Sequence, residues 1–360
     1  MSTALGPLVD HHCHVLVARD LDRLEFESLM NEAERPSPLG TTLFDSMLGL
    51  ALRRHCAPAL DLEPLAPPEA YLARRQELGA AEVNRRLLAA AGIRTFLVDT
   101  GLAAENICTP ADLALWADGE AFEVVRLERL AESVLLSGTD DFPGEVEERL
   151  QMSGAVAVKS IAAYRVGLDL PSAKPTADEL AMALKDVDPR RLADPTVSAW
   201  LAHTAIELGM PVQFHVGYGD NDLDLRQCDP LWLTPLLRSS QELGVPVLLL
   251  HNYPFHRNAA YLAQVFPHVF VDLGLATHNS GALSRSVLRE TLELVPFGKL
   301  LFSTDAFGLA ELYLLGSVLF RAALEGVLDE LVGSGDMTTA DAARIGAMVA
   351  RDNAIRAYGL

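Results

Sequence analysis

The sequence predicts an α/β fold, a (β/α)8 TIM barrel with a helical insertion after the first strand. Three observations predict it. Short runs rich in Val, Ile, Leu and Phe recur along the 360 residues, each followed by a longer helical pattern, as in a parallel sheet covered on both faces. Eight such runs can be read, which is the strand count of a closed barrel. Polar residues of catalytic type stand at the ends of these runs, on the face where barrels of this kind carry their sites.

The first run is "LVDHHCHV" near 8–15, followed by "IRTFLVDT" at 93–100, "AFEVVRLE" at 121–128 and "AVAVKSIAA" at 155–163. The second half holds "PVQFHVG" at 211–217, "VPVLLLHNY" at 245–253, "VFVDLGLA" at 269–276 and "KLLFSTDA" at 299–306. Thr109-Pro110 places a capping residue before a proline at the first helical position. "SSQELGVPV" ends a helix at Gly244 and enters the sixth strand. The interval from about 20 to 92 is too long for one crossover. Its stretches "TTLFDSMLGLALRRH" and "PEAYLARRQELGAAEVNRRLLAAAG" are helical by spacing, so it reads as an insertion lying over the barrel mouth or beside it. The tail from 338 reads as a final helix, and residues 1–360 read as one catalytic barrel domain. No internal repeat is apparent.

Composition bounds the partners. The formal net charge of −20 repels nucleic acid and anionic membrane surfaces, so neither is expected as a partner. No run reaches the length of a membrane span. No basic segment followed by an apolar run opens the chain, so no signal peptide is expected. Cys13, Cys56, Cys108 and Cys228 are far apart and form no CxxC pair, which suits reduced thiols in the cytoplasm. The expected partner is a small molecule, a carboxylate-bearing one among the candidates, and a homo-oligomer is compatible with the sequence.

His12 and His14 end the first run, Lys159 the fourth, His215 the fifth, His251 the sixth and Asp305 the eighth. Each is a polar residue in or just after an apolar run, which is costly without partners. Strand alternation points His12 and His14 the same way, together with Asp10, and sends His11 and Cys13 outward against helices. A His-x-His pair alone is a weak motif, and any one of these histidines is more simply a core residue satisfied by hydrogen bonds. Four histidines and an aspartate at matching strand ends are what a divalent transition metal such as Zn needs, as one ion or two.

The order HxH, Lys, His, His, Asp on successive strands resembles the amidohydrolase superfamily, in its amidohydrolase-related family 2. The chain is most similar to the amidohydrolase-like domain that precedes a glutamine synthetase-like domain in some plant and fungal proteins. The resemblance rests on "VDHHCH", "VKSIAAYRVGLDL", "QFHVGYGDNDLDLRQCDPLWL", "LLLHNYPFHRNAAYLA", "VFVDLGLA", "LLFSTDAFGLAELYLLG" and "NAIRAYGL", in order over nearly the whole chain. The sequence ends at Leu360, before any synthetase-like half, so that half offers no clue to the substrate.

The resemblance implies that His12, His14, His215 and Asp305 bind metal, and that Asp305 takes a proton from the metal's water and passes it to the leaving group. His251 either binds a second metal or polarises the substrate carbonyl, the second role being preferred. Lys159 either carries a carbamate bridging two ions or binds a substrate carboxylate as an ammonium. Arg165 and Arg226 follow strands four and five, where either could grip an acidic substrate or neutralise Asp220, Asp222 and Asp224. Tyr218 and Tyr253 could wall the pocket. His278 and His256 lie on the same face with an open role, and His55, His203 and His268 read as structural. The expected activity is hydrolysis of a C–N bond, amide or γ-glutamyl-type. Its alternatives are non-oxidative decarboxylation at the same site and a non-catalytic binding barrel. The loop "GYGDNDLDLR" is expected at the pocket mouth.

Overall fold

The computed structural model describes residues 5–33, 35–102 and 106–360. Seven strands form one parallel sheet in chain order. They are β1 (Leu8–Cys13), β2 (Ile93–Asp99), β3 (Glu120–Arg126), β4 (Ala157–Ser160), β5 (Val212–Val216), β6 (Val247–His251) and β7 (Val269–Val271). Each corresponds to a predicted run.

The eighth run, 299–306, differs from expectation, since it forms no regular strand. It still occupies the eighth position. Leu300 bridges Val271 in parallel, and the Leu301 amide donates to the Val271 carbonyl. On its other side the His11 amide donates to Phe302, and the Asp305 amide to His12. The segment therefore joins β7 to β1 and closes the ring. It is irregular for two local reasons: Thr304 turns its amide and hydroxyl to the Asp10 carboxylate, at 2.9 and 2.6 Å, and Asp305 takes φ +52°. The seventh run is also shorter than 269–276. Asp272 accepts the Gly274 amide, and a helix, Gly274–Ser280, starts there.

The alternation expected in β1 fails as well. Its pairing with β2 slips between Asp10 and Cys13. Asp10 therefore serves Thr304 rather than sharing the face of His12, and His11 is fully buried instead of packing outward on helices. Its Nδ1 lies 2.8 Å from the Tyr358 hydroxyl. Cys13 does sit in the main apolar cluster, and all four cysteines are buried and free.

Val9, Leu97, Val124, Leu248, Phe270 and Leu301 form an inner cluster that Tyr358 joins. The last helical segment, Asn353–Tyr358, thus stoppers the barrel from the end opposite the site. It follows helix Thr339–Ala347 through a π-helical turn, Met348–Asp352.

The interval after β1 is helical as expected, with helices Arg23–Ser28, Met47–Ala59, Pro68–Leu78 and Ala80–Ala91. The last of these leads directly into β2 and packs on the long helix Ala310–Ser334, so it serves as the ordinary crossover. Buried Arg75 ties the insertion to that long helix, with Nε 2.6 Å from Glu311 Oε1, and the Tyr71 hydroxyl donates to the same carboxylate. Among the described residues, no helix is long and apolar enough to cross a membrane.

Candidate active site

The strand ends converge as the strand-end rule requires. His12, His14 and Asp305 present ligand atoms that all lie within 4.8 Å of one another. His12 Nε2 and His14 Nε2 approach Asp305 Oδ1 at 3.2 and 3.3 Å, and His251 Nδ1 approaches Oδ2 at 3.4 Å. The His215 ring centroid lies 4.7 Å from that of His251. Lys159 Nζ lies 3.0 Å from His12 Nε2. The structure thus brings together His12, His14, Lys159, His215, His251 and Asp305.

Their protonation follows from their neighbours. Gln213, also on β5, donates through Nε2 to the His11 carbonyl and the Tyr358 hydroxyl. That leaves its Oε1 facing His12 Nδ1 at 2.8 Å, so His12 must donate there and its Nε2 carries the lone pair. His14 Nδ1 faces the Asp99 carbonyl at 3.1 Å and is likewise the donor, freeing its Nε2. Burial, and next the Lys159 ammonium, push His12 down to about 3, and burial takes His251 down to about 4. Burial alone would raise the Asp305 carboxyl, but His251, His12 and His14 hold it well below the usual carboxylate range. Burial also lowers Lys159. Neutral His12 and His251 thus stand beside an ionised Asp305.

This donor set fits a divalent metal. The histidines offer unprotonated nitrogens, and the buried Nε2 atoms of His215 and His251 have no hydrogen-bond partner among the described residues. Such orphaned buried nitrogens are expensive unless something binds them. The approach to His215 is also built for closeness. A Cβ on Gly219 would stand 1.9 Å from the Tyr164 hydroxyl and 3.1 Å from His215 Nε2.

A cavity of about 410 Å³ opens above these groups. Lys159, Arg165 and His278 line it, as do Asp220 and Asp222 of the acidic loop, which therefore sits at the mouth as expected. The insertion contributes Ser28 to Ala33, including Glu32, whose carboxyl burial pushes up to about 7 with help from Asp305 and Asp220. The insertion therefore covers the mouth, one of the two placements expected of it.

Three expected substrate contacts are not brought to this cavity. Arg226 is exposed and closes on its own loop, with two hydrogen bonds to Asp224 at 2.9 and 2.8 Å. Tyr218 stands behind the wall and donates to the Leu275 carbonyl, while Tyr253 is 41% exposed and stacks on His256. Tyr164 takes the place foreseen for them, with its ring centroid 4.6 Å from that of His215. His256 pairs with Glu290 at 2.8 Å, and His268 and His203 have their own local partners.

A family model described as amidohydrolase matches residues 9–360. The chain belongs to the amidohydrolase family. Its sequence is 28% identical over 408 aligned positions to protein fluG of Emericella nidulans, covering 98% of this chain but 46% of that protein, so it spans about half the length of that curated relative. A candidate metal-dependent hydrolase from Lactobacillus casei ATCC 334 superposes on 99% of this amidohydrolase and 98% of its own chain, with TM-score 0.85 and 28% identity. A uronate isomerase from Thermotoga maritima covers 98% of this chain and 94% of its own, with TM-score 0.66 and 14% identity, which shows the fold alone. Family and Lactobacillus neighbour together support a metal-dependent hydrolase.

Proposed function

We propose that this amidohydrolase cleaves a C–N bond, amide or γ-glutamyl-type, in a small molecule. The observation that carries the reading is the convergence of two histidine Nε2 atoms on one carboxylate oxygen at 3.2 and 3.3 Å, with orphaned imidazole nitrogens beside them. His12, His14, His215 and Asp305 would hold a divalent metal, Zn being the best match to nitrogen and carboxylate donors. When bound, such an ion would supply Lewis acidity for the carbonyl and for a water nucleophile near neutral pH. Asp305 has the second duty. Ionised, and wedged between His12, His14 and His251, it takes the proton of the attacking water through a carboxylate oxygen and delivers it to the departing nitrogen. His251 faces Asp305 Oδ2 and orients the carbonyl. Lys159, with its pKa lowered by burial, holds a negative group of the substrate or a carbamate. Ser28 to Ala33 of the insertion line the cavity and shield these groups from part of the bulk water, which strengthens their contacts.

The reading is tested with purified protein, elemental analysis and a panel of N-acyl and γ-glutamyl compounds assayed for amine and for CO₂ release. The His12→Ala/His14→Ala protein should lose both metal and activity. Asp305→Asn keeps a ligating oxygen but no base, so it should retain part of its metal while turnover drops by roughly 10²–10⁴-fold. CO₂ release without amine release would replace the hydrolase with a decarboxylase, and Asp305→Asn turnover within a few-fold of wild type would remove Asp305 from proton transfer.

A further inference from the structure

Beside the metal-facing cavity lies a second hollow of about 280 Å³, lined by Arg126, Arg129, Arg165, Arg190, Arg191 and Glu132. Arg126, Arg165 and Arg191 line both hollows, so the two adjoin. Five of the chain's 29 lysines and arginines gather here, against an overall charge of −20. They arrive from three elements and a loop. Arg126 ends β3, Arg129 is on helix Leu127–Ser137, Arg165 is on the short helix Ala162–Arg165, and Arg190 and Arg191 lie in the loop before helix Pro195–Glu207.

The carboxylates present do not neutralise them. Asp99 takes Arg126 at 2.6 Å, Glu132 is shared by Arg165 at 3.3 Å and Arg129 at 3.7 Å, and Asp222 takes Arg191 at 2.6 Å. Arg190 has no ion pair among the described residues. Buried Glu128 also acts on Arg126 and Arg165, and five guanidinium groups still outnumber the carboxylates that face them. Arg165, which shares Glu132 with Arg129, is only 13% exposed, and its Nε is buried without a partner. A buried guanidinium nitrogen without an acceptor is unfavourable, and arginines grip carboxylate and phosphate through two parallel bonds. The backbone is shaped around the cluster too, since a Cβ on Gly101 would stand 2.5 Å from Arg126 Cβ. Asp99 links it to the metal-facing groups, holding Arg126 by its carboxylate and His14 by its carbonyl.

We infer that this hollow is an anion subsite, and that the substrate carries a carboxylate or phosphate group at the end remote from the bond cleaved at Asp305. The subsite gives the hydrolase reading its substrate class and rests on it. A local cluster of arginines also gives a strongly acidic protein a place to accept an acidic ligand.

The test is calorimetric titration of the purified protein with glutarate, inorganic phosphate and neutral glutaramide. One or both anions should bind and the diamide should not, and the tighter anion identifies the group. Arg165→Met combined with Arg190→Ala should weaken binding at least tenfold. Arg190→Ala alone, a change at an exposed residue, should weaken it severalfold and serves if the double variant does not fold. Anion binding that both variants leave unchanged places the anion on the metal and overturns the subsite while leaving the hydrolase reading intact. Absence of binding by either anion overturns it equally. Arginine-dependent binding that persists in the metal-depleted His12→Ala/His14→Ala protein supports the subsite even if hydrolysis is never observed.

Discussion

The orientation of His12 depends on a residue that touches nothing reactive. Gln213 fixes the ring because its own amide is locked by the His11 carbonyl and the Tyr358 hydroxyl. Beyond it, His11 Nε2 lies 2.8 Å from Asp272, whose other oxygen accepts the His251 amide. One buried chain thus joins the orienting contacts of His12 and His251. Replacing Gln213 with Leu removes the acceptor for His12 Nδ1, so the ring loses both its tautomer and its direction. The expected result is metal affinity lower by roughly 10–100-fold, read by competition with a chromophoric chelator. Unchanged affinity would mean that the contacts at Nε2, with Asp305 and Lys159, suffice to hold His12. Lys159, His215 and Asp305 were legible because a charged or imidazole residue ending an apolar run stands out. The same rule, applied to "FLVD" and "VVR", points to Asp99 and Arg126. By that rule "VFVD" marks Asp272 as well, whereas Gln213 and Tyr358 carry no such mark, since their partners lie up to 347 positions away. Nor does the sequence show that His251, Asn252 and Asp305 take φ of +67°, +62° and +52°, conformations that cost on the order of 1–3 kcal/mol each and collect at functional sites.

Among the elements, most of the regular strands were legible because burial on both faces writes continuous apolar runs, while β3, with only Val124 fully buried, was legible from its apolar residues alone. What failed was phase. Period-2 reasoning assumes an unbroken ladder, and the slip between Asp10 and Cys13 lets His11 turn to Tyr358 while His12 and His14 turn to the cavity. The same logic limits the eighth run, where hydrogen bonds from Thr304 to Asp10 compete with the ladder. The insertion was legible as helix but not in its placement, to which apolar packing and a buried ion pair far from the site both contribute. Arg75 and Glu311 are 6% and 0% exposed, and Arg75 also stacks over Phe26 at 4.9 Å. Arg75→Leu would leave Glu311 charged and buried, with only the Tyr71 hydroxyl to solvate it. Breaking a pair of this kind costs about 3–5 kcal/mol. The thermal midpoint should fall accordingly, and the insertion, which roofs the cavity, should become sensitive to proteolysis before the barrel does. A midpoint within a degree of wild type would show that apolar packing alone seats the insertion.

The molecule as a whole sets local pairing against global repulsion. Many of its arginines sit in exposed pairs such as Arg85–Glu82, Arg257–Glu293 and Arg289–Glu330. Pairs of this kind contribute about 0–1 kcal/mol each and weaken with salt. Against them stands a formal charge of −20, whose self-repulsion acts over the whole surface and favours expansion. Salt screens both, but not equally. The Debye length falls from about 30 Å at 0.01 M to about 8 Å at 0.15 M, which removes most repulsion between distant carboxylates and only part of the attraction at contact. The thermal midpoint should therefore rise between about 0.01 and 0.15 M sodium chloride, as measured by calorimetry. A midpoint that falls over this range would mean that the exposed pairs outweigh the net charge. The comparison is sharpest with the Arg75–Glu311 pair intact, because that pair is dry and its attraction is nearly independent of salt.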